Sequence, residues 1–479
     1  MSKESELIYK LDDKPGAKES FFAALQHLLA SFIGIITPTL IIGGVLGLGS
    51  EIPYLISMAL MVSGVGTIIQ AKKPLGIGTG MICVQGTSFA FLSSILAAGF
   101  IAKANGGGPD EILAMIFGVC VLGAFIEIGL SQVLGKLKRI ITPIVTGTVI
   151  TIIGISLIKI GFTDMAGGTW LMNNKPEFFA SFENLFLGVI VMITIIIANK
   201  SSNQWIRLSS IIIGMAVGFI IAMFMGKVDF STFNKVESII SMPIPFKYGF
   251  NFDIAAFIPV AIIYLITAIE SSGDITANCM ISNQPIKGKS YFERIKGGVL
   301  ADGCNSLIAG VFNTFPNTTF SQNNGVIQLT GIASRYIGVW IGALLIILGL
   351  FPHIGAIFRA LPTPVLGGAT IIMFATVAVA GIKIISQVNL NRRNMLILAI
   401  SFGVGLGVLL VPQILTTFSN NIGGDLGKII NSVLGSPVTA GGLTAILATL
   451  FIAQPEDITE VPSRTPIEHD VVTPASSSI

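Results

Sequence analysis

The sequence predicts an all-α polytopic membrane protein of fourteen transmembrane segments, arranged as two inverted seven-segment repeats. Three observations carry that expectation. Of 479 residues, 52% are hydrophobic and only 11% charged, whereas a soluble domain carries about 25% charged residues to cover its surface. Apolar stretches of about 20 residues, enough to cross a bilayer, recur along most of the chain. A short motif, TPxxxG, also occurs twice, seven segments apart. The 54 glycines suit close helix contact in lipid. A net charge of +3 implies no nucleic-acid partner.

In chain order, residues 1–19 alternate acidic and basic groups, with no apolar core and no small-residue cleavage site. They read as a cytoplasmic N-terminal tail. Segments then follow at roughly 20–48, 52–70, 76–101, 111–134, 140–162, 180–198 and 206–226. The second seven lie at roughly 254–280, 291–313, 315–334, 336–358, 364–386, 395–413 and 429–453. The third and tenth are interrupted by Gly, Pro, Ser, Thr and Asn. Residues 454–479 are polar and acidic and read as a disordered cytoplasmic tail. The four cysteines (Cys83, Cys120, Cys279, Cys304) lie in apolar or Gly-rich stretches, and His27, His353 and His469 are scattered. Neither a disulfide framework nor a metal site is expected.

An even number of segments places both termini on one side. With the termini inside, the inner loops hold fifteen Lys and Arg residues, among them Lys136, Lys138, Arg139, Lys289, Arg294 and Lys296. The outer loops, although longer, hold seven, including Lys235. The positive-inside rule therefore favours cytoplasmic termini. The repeated motif is Thr142-Pro143-Ile144-Val145-Thr146-Gly147 in segment five and Thr363-Pro364-Val365-Leu366-Gly367-Gly368 in segment twelve, preceded by Arg139 and Arg359. Seven is odd, so the second copy is upside down, the layout of an inverted-repeat secondary transporter.

The interrupted segments locate the chemistry, because irregular backbone at membrane depth must be buried in protein or line a cavity. Segment three carries the run from Gly76 through Gly86, Thr87 and Ser88 to Phe89. Segment ten carries Phe315-Pro316-Asn317 through Ser321, Gln322, Asn323 and Asn324 to Gly325. Each reads as an extended piece followed by a half-helix whose N-terminal N–H groups face the membrane centre. Intramembrane acids are the second pointer. Glu270 and Asp274 share one face of segment eight at i,i+4, and Asp302 lies in segment nine. Glu127 in segment four reads as structural. For His27 in segment one, packing and ligation both stay open. Arg294 and Lys296 read as topological charges. The amide of Gln322 offers a donor and an acceptor to a flat heterocycle, while Asn324 beside Gly325 also reads as a helix cap.

Gln322-Asn323-Asn324-Gly325-Val326-Ile327-Gln328-Leu329-Thr330-Gly331 resembles the [QEP]-N-x-G-x-x-x-x-T-[RKG] signature of the nucleobase–ascorbate transporter family. Gln26-His27, Gly86-Thr87-Ser88-Phe89, Glu270-x-x-Gly273-Asp274 and Gly298 to Gly303 match as well, so the resemblance runs from about Glu6 to Leu450. It is closest to the bacterial xanthine permeases.

The resemblance implies short antiparallel strands in segments three and ten, and a core domain of segments 1–4 (20–138) and 8–11 (251–360). The gate domain would be segments 5–7 (139–250) and 12–14 (361–453). It also implies a homodimer through the gate, an elevator-like step, and residence in the bacterial cytoplasmic membrane. The implied partners are a purine base, xanthine foremost, and a proton; no cofactor and no catalytic residue are implied. Glu270 and Gln322 would bind the base, with Phe89, Ser88, Ser321 and Asn323 around it. Asp302 would couple the proton, with Glu270, His27 and Asp274 sharing in it. Asn324, Gly325, Thr330 and Gly331 complete the motif. Gln322 fits xanthine- and urate-type members better than uracil-type ones. An anion carrier of the sulfate-permease type would need a cationic site, and no HExxH or GxSxG motif supports an intramembrane enzyme.

Overall fold

Long apolar runs form long helices here, even through the internal prolines Pro38 and Pro259. The computed structural model describes residues 7–134, 142–229 and 239–452. The first half contains helices α1 (Ala17–Leu46), α2 (Ile52–Lys72), α3 (Leu92–Ala104), α4 (Pro109–Val133), α5 (Pro143–Met165), α6 (Phe182–Asn199) and α7 (Ser210–Phe224), with strand β1 (Gln85–Thr87) ahead of α3. The second half contains α8 (Ile254–Ile281), α9 (Lys289–Val311), α10 (Gln322–Thr330), α11 (Arg335–Gly349), α12 (Thr363–Ser386), α13 (Arg392–Leu410) and α14 (Pro437–Phe451), with β2 (Asn317–Thr319) ahead of α10.

Eight of these helices (α1, α2, α4, α5, α6, α8, α12 and α13) are long and apolar enough to cross a membrane. A ninth crossing arises if α11 is counted with the short helix Pro352–Arg359, to which it is bent by 75°. Helix α9 is long enough but carries the charges of Arg294, Lys296 and Asp302, the last on its buried face with Asn305 and Ser306. The apolar side chains left exposed on α6 (Ile193, Ile196, Ile197) and α12 (Val379, Ile382) suit helices bordered by hydrocarbon.

The helices pack in antiparallel pairs at small residues. On α5 and α12, Gly147 meets Gly381 and Ile385, Gly154 meets Ala378, and Gly161 meets Ile371, so rising numbers on one helix meet falling numbers on the other. A Cβ at Gly154 would overlap the Ala378 backbone, which is why the axes approach so closely there. Helices α2 and α11 pair in the same sense through Gly64 and Gly342, and α4 and α9 through Gly303 and Gly310. Helix α1 packs on α11, α8 on α4, α6 on α7 and α12, and α13 on α14 and α5.

Strands β1 and β2 form one antiparallel pair, with Gln85 opposite Thr319, Gly86 opposite Thr318 and Thr87 opposite Asn317. Bonds from Ser88 N–H to Pro316 O (2.9 Å) and from Phe320 N–H to Val84 O (2.9 Å) extend it at both ends. Gly86 is required because the Phe320 ring lies where its Cβ would be.

Two sequence expectations need correction. Segment 336–358 is not one helix: it breaks at Leu350-Phe351, since the residue before Pro352 is pushed out of the α region. Segment 429–453 is likewise two pieces, Gly424–Leu434 and α14, separated at Gly435-Ser436 ahead of Pro437. Residues 7–14, within the 1–19 tail, lie along residues 331–336. The 138/139 boundary, with Lys136, Lys138 and Arg139, lies outside the described residues, as do Lys235 and the 454–479 tail.

Candidate functional site

The strand pair brings α3 and α10 to one place, each starting within a few residues of a strand end. Around it stand α1, α2, α8 and α9, and these helices, α10 and the two strands supply the polar side chains.

Asp302 on α9 is fully buried. Its Oδ1 accepts from Gln70 Nε2 and Gln85 Nε2, both at 2.7 Å, and its Oδ2 accepts from the Ser271 hydroxyl. Ser271 also meets the Thr318 hydroxyl at 3.1 Å, which ties the acid to β2. Gln70 in turn donates to Gly298 O and accepts from Thr79 N–H, so it is held at both ends of its amide. None of the salt bridges among the described residues involves Asp302. The donors are neutral. A hydroxyl such as Ser271 can either donate or accept, so the same cage fits an ionised or a protonated carboxyl.

His27 on α1 reaches α10: its Nδ1 lies 2.8 Å from Asn323 Oδ1. With the amide oriented this way Nδ1 is the donor and Nε2 of the neutral ring is an acceptor. Asn324 Nδ2 donates to the backbone carbonyl of Asp274 (3.2 Å), and Thr319 donates to Asp274 Oδ2 (3.3 Å). Helix α10 is thereby fixed to α1 on one side and to α8 on the other. Glu270 lies one turn before Asp274 on α8.

A second set of buried polar atoms has no partner among the described residues: Glu270 Oε2, His27 Nε2, Asn323 Nδ2 and Ser88 Oγ. Such atoms are costly unless something bonds them. They comprise two acceptors, one donor and one hydroxyl. Gln322 and Ser321 are half-buried at the start of α10, and Phe89 is half-buried with its ring edge-on to Phe374 of α12 at 5.2 Å.

The structure thus gathers His27, Ser88, Phe89, Glu270, Asp274, Asp302, Ser321, Gln322, Asn323 and Asn324 around one strand pair. Gly325, Thr330 and Gly331 belong elsewhere. Gly325 is exposed, and Thr330 bonds its own helix at Val326 O (2.8 Å). Gly331 ends α10 in the left-handed region at φ 68°, about 13.5 Å from Gln322 at 1.5 Å per residue. Glu127, also buried, meets Thr267 at 3.5 Å and leaves Oε2 unpartnered. Gln70, Gln85 and Ser271 were not singled out by the sequence. The available signal was an amide in each of segments two and three.

A cavity of about 1020 Å³ opens between α4, α5, α8, α9 and α12, lined by Gln132, Thr146, Gly273, Tyr291, Lys296 and Gln387 among others. Gly273 lies between Glu270 and Asp274 in sequence, so the cavity reaches the helix face next to both acids. Lys289 and Glu293 also line it.

Residues 18–414 match the model of the Permease family. Xanthine permease XanP of Escherichia coli is 43% identical over 448 residues, covering 93% of this chain and 95% of that protein. Xanthine permease XanQ of the same organism is 43% identical over 449 residues, 94% of each chain. Uric acid permease PucJ of Bacillus subtilis is 34% identical over 436 residues, covering 90% and 92%. Among solved structures, SLC26A9 shares the fold with a TM-score of 0.60 at 14% identity, covering 92% of this chain and 67% of that one. The transmembrane domain of the cyanobacterial bicarbonate transporter BicA does so with a TM-score of 0.52 at 13% identity, covering 90% and 96%.

Proposed function

Because the chain belongs to the nucleobase–ascorbate transporter family of permeases, we propose that it carries xanthine or a closely related purine base across the bacterial inner membrane together with a proton. The observation that carries this reading is the set of buried, unpartnered polar atoms beside the strand pair. A purine dione presents ring N–H donors and carbonyl acceptors on a flat frame. Glu270 Oε2 and His27 Nε2 accept from ring N–H groups, and Asn323 Nδ2 and the Gln322 amide bond the carbonyl edge. Ser88 and Ser321 complete the polar rim, and Phe89 covers a ring face.

Asp302 is the proton-loading group in this reading, since its neutral donor cage accommodates both protonation states. Neutralising it with a proton lowers the cost of moving the loaded site past an apolar surface. Asp274 and His27 hold the site's shape through Thr319 and Asn323.

The moving unit would be the core, segments 1–4 and 8–11, against a gate of segments 5–7 and 12–14 that also forms a homodimer. The packing supports the fourteen-segment inverted repeat behind this division. Adding or subtracting seven turns the pair α2–α11 into α9–α4, α1–α11 into α8–α4, α6–α7 into α13–α14, and α6–α12 into α13–α5; all of these pairs are in contact. The pairs α5–α12 and β1–β2 map onto themselves. The lysines lining the cavity, Lys289 and Lys296, suit a cytoplasmic side, on which both termini would also lie.

A urate carrier is the second reading, favoured by the similarity to PucJ. The fold neighbours carry bicarbonate or other anions by their titles, but acids and amides line the site here, which suits a neutral base better. Uptake of radiolabelled xanthine into cells lacking their own purine permeases tests the proposal. Uptake that collapses with an uncoupler and yields to xanthine-like bases is expected. Absent xanthine uptake with urate uptake intact would transfer the site to the second reading.

A further inference from the structure

We propose that residues Leu7–Lys14 form a positioning strap that sets the place of α10, and with it Gln322 and Asn323, in the substrate site; this rests on the purine-site reading above. Ile8 N–H and Tyr9 N–H both donate to Gly331 O, at 2.8 and 3.2 Å. Ala333 N–H donates to Tyr9 O (2.9 Å) and Arg335 N–H to Leu11 O (3.0 Å), so the segment runs as a short parallel ladder beside the chain that follows α10. Side chains secure it: Arg335 pairs with Asp12 at 2.9 Å, Ser334 donates to Asp13 O, and the Lys14 ammonium lies 5.1 Å from the Tyr336 ring centre.

Helix α10 needs such a hold. It has nine residues, and isolated helices shorter than about 12 residues are marginal in water, so tertiary contacts must decide where it lies. Its N-terminal end is held by His27 and by the Asp274 carbonyl. Its C-terminal end turns through Gly331 in the left-handed region, and the carbonyl of that residue carries the two strap bonds.

The strap also leads into α1. Tyr9 OH donates to Glu19 Oε2 (3.0 Å), and Glu19 caps the start of α1 by accepting from Gly16 N–H (2.9 Å). Eight residues on, α1 presents His27 to Asn323. The chain therefore closes a ring from Gly331 through the strap and α1 to His27, across to Asn323, and back down α10. A shift of α10 along its axis breaks either the strap bonds or the His27–Asn323 bond. The strap's hydrogen bonds and ion pair, among the described residues, go to its own segment, the start of α1 and residues 331–335, so it travels with this group of elements.

The test uses the full-length protein, a chain lacking residues 2–13, and the charge variants Asp12→Arg, Arg335→Asp and their double exchange. Two readouts are taken: amide hydrogen exchange across 322–330 in purified protein, and the apparent KM and Vmax for xanthine uptake with transporter amount measured in the same membranes. Removing the strap should speed exchange in α10 by about tenfold or more while α12 stays as in the full chain. Each single charge variant should raise KM about twofold to threefold at unchanged transporter amount, the size expected of a half-exposed ion pair, and the double exchange should restore it. If α10 exchanges as in the full chain, or if Vmax falls with transporter amount while KM stays put, the strap does not position the site. Absent xanthine uptake by the unaltered protein would count against the purine reading alone, and the exchange result would still decide the strap.

Discussion

Asp302, fully buried, and Glu270, half-buried, are acids on helices of the same bundle, yet the protein treats them in opposite ways. Asp302 is caged by Gln70, Gln85 and Ser271, which come from α2, β1 and α8. Glu270, on the same helix as Ser271 and next to it in sequence, leaves one carboxyl oxygen buried without a partner. An unbonded buried polar atom costs about 1–3 kcal/mol; Glu127 leaves one as well, and on the proposed reading it is Glu270's place beside the strand pair that gives its oxygen a ligand. On the proposed function, the contrast separates a resident charge site, whose ligands are the protein's own, from a recognition site, whose ligand comes from outside.

The sharpest way to break that contrast is Asp302→Asn. An asparagine oxygen can accept from both glutamines, and its NH2 can donate to Ser271, which then donates to Thr318, so the cage survives and the charge does not. The expected result is protein in normal amount that binds xanthine but no longer concentrates it; normal accumulation in cells would end the coupling role. Next comes Glu270→Gln, which keeps shape but removes a charge-assisted acceptor worth about 1.5–3 kcal/mol, so xanthine affinity should fall roughly 10- to 100-fold. Gln322→Glu replaces an amide donor by a second acceptor and should shift preference among purine bases, read as a changed order of competition by urate, guanine and hypoxanthine. Ser271→Ala removes one of three donors to Asp302 and should leave affinity within about twofold, while moving the pH profile of uptake. The smallest effect is expected at Glu127→Gln, where uptake should stay within about twofold; a larger loss would bring that acid into the proton path.

Much of this contrast was legible in part. Acids inside apolar segments announce themselves, because charge in lipid is costly, so Asp302, Glu270 and Asp274 stood out. Their opposite treatment did not. The donors to Asp302 are separated from it by 232, 217 and 31 residues, and no periodicity links them; only the closing of the bundle does. His27 and Asn323 likewise meet across 296 residues. The strands followed from family resemblance, since three-residue elements leave no alternating pattern to read.

The breaks before Pro352 and Pro437 did have local signals, which continuous hydropathy outweighed. The strap was silent for a different reason. Its ladder uses backbone N–H and C=O groups that every non-proline residue possesses, so a charged segment that looks like a solvated tail can be held without a distinctive side-chain pattern.

The most direct measurement of the central claim is xanthine binding to purified protein, compared with accumulation in cells, for Glu270→Gln and Asp302→Asn side by side. The account predicts a crossed result: Asp302→Asn binds within a few-fold of the unaltered protein but does not accumulate, and Glu270→Gln loses binding itself. Equal loss of binding in both, or undiminished binding in Glu270→Gln, would contradict the division between a resident proton site and a recognition site.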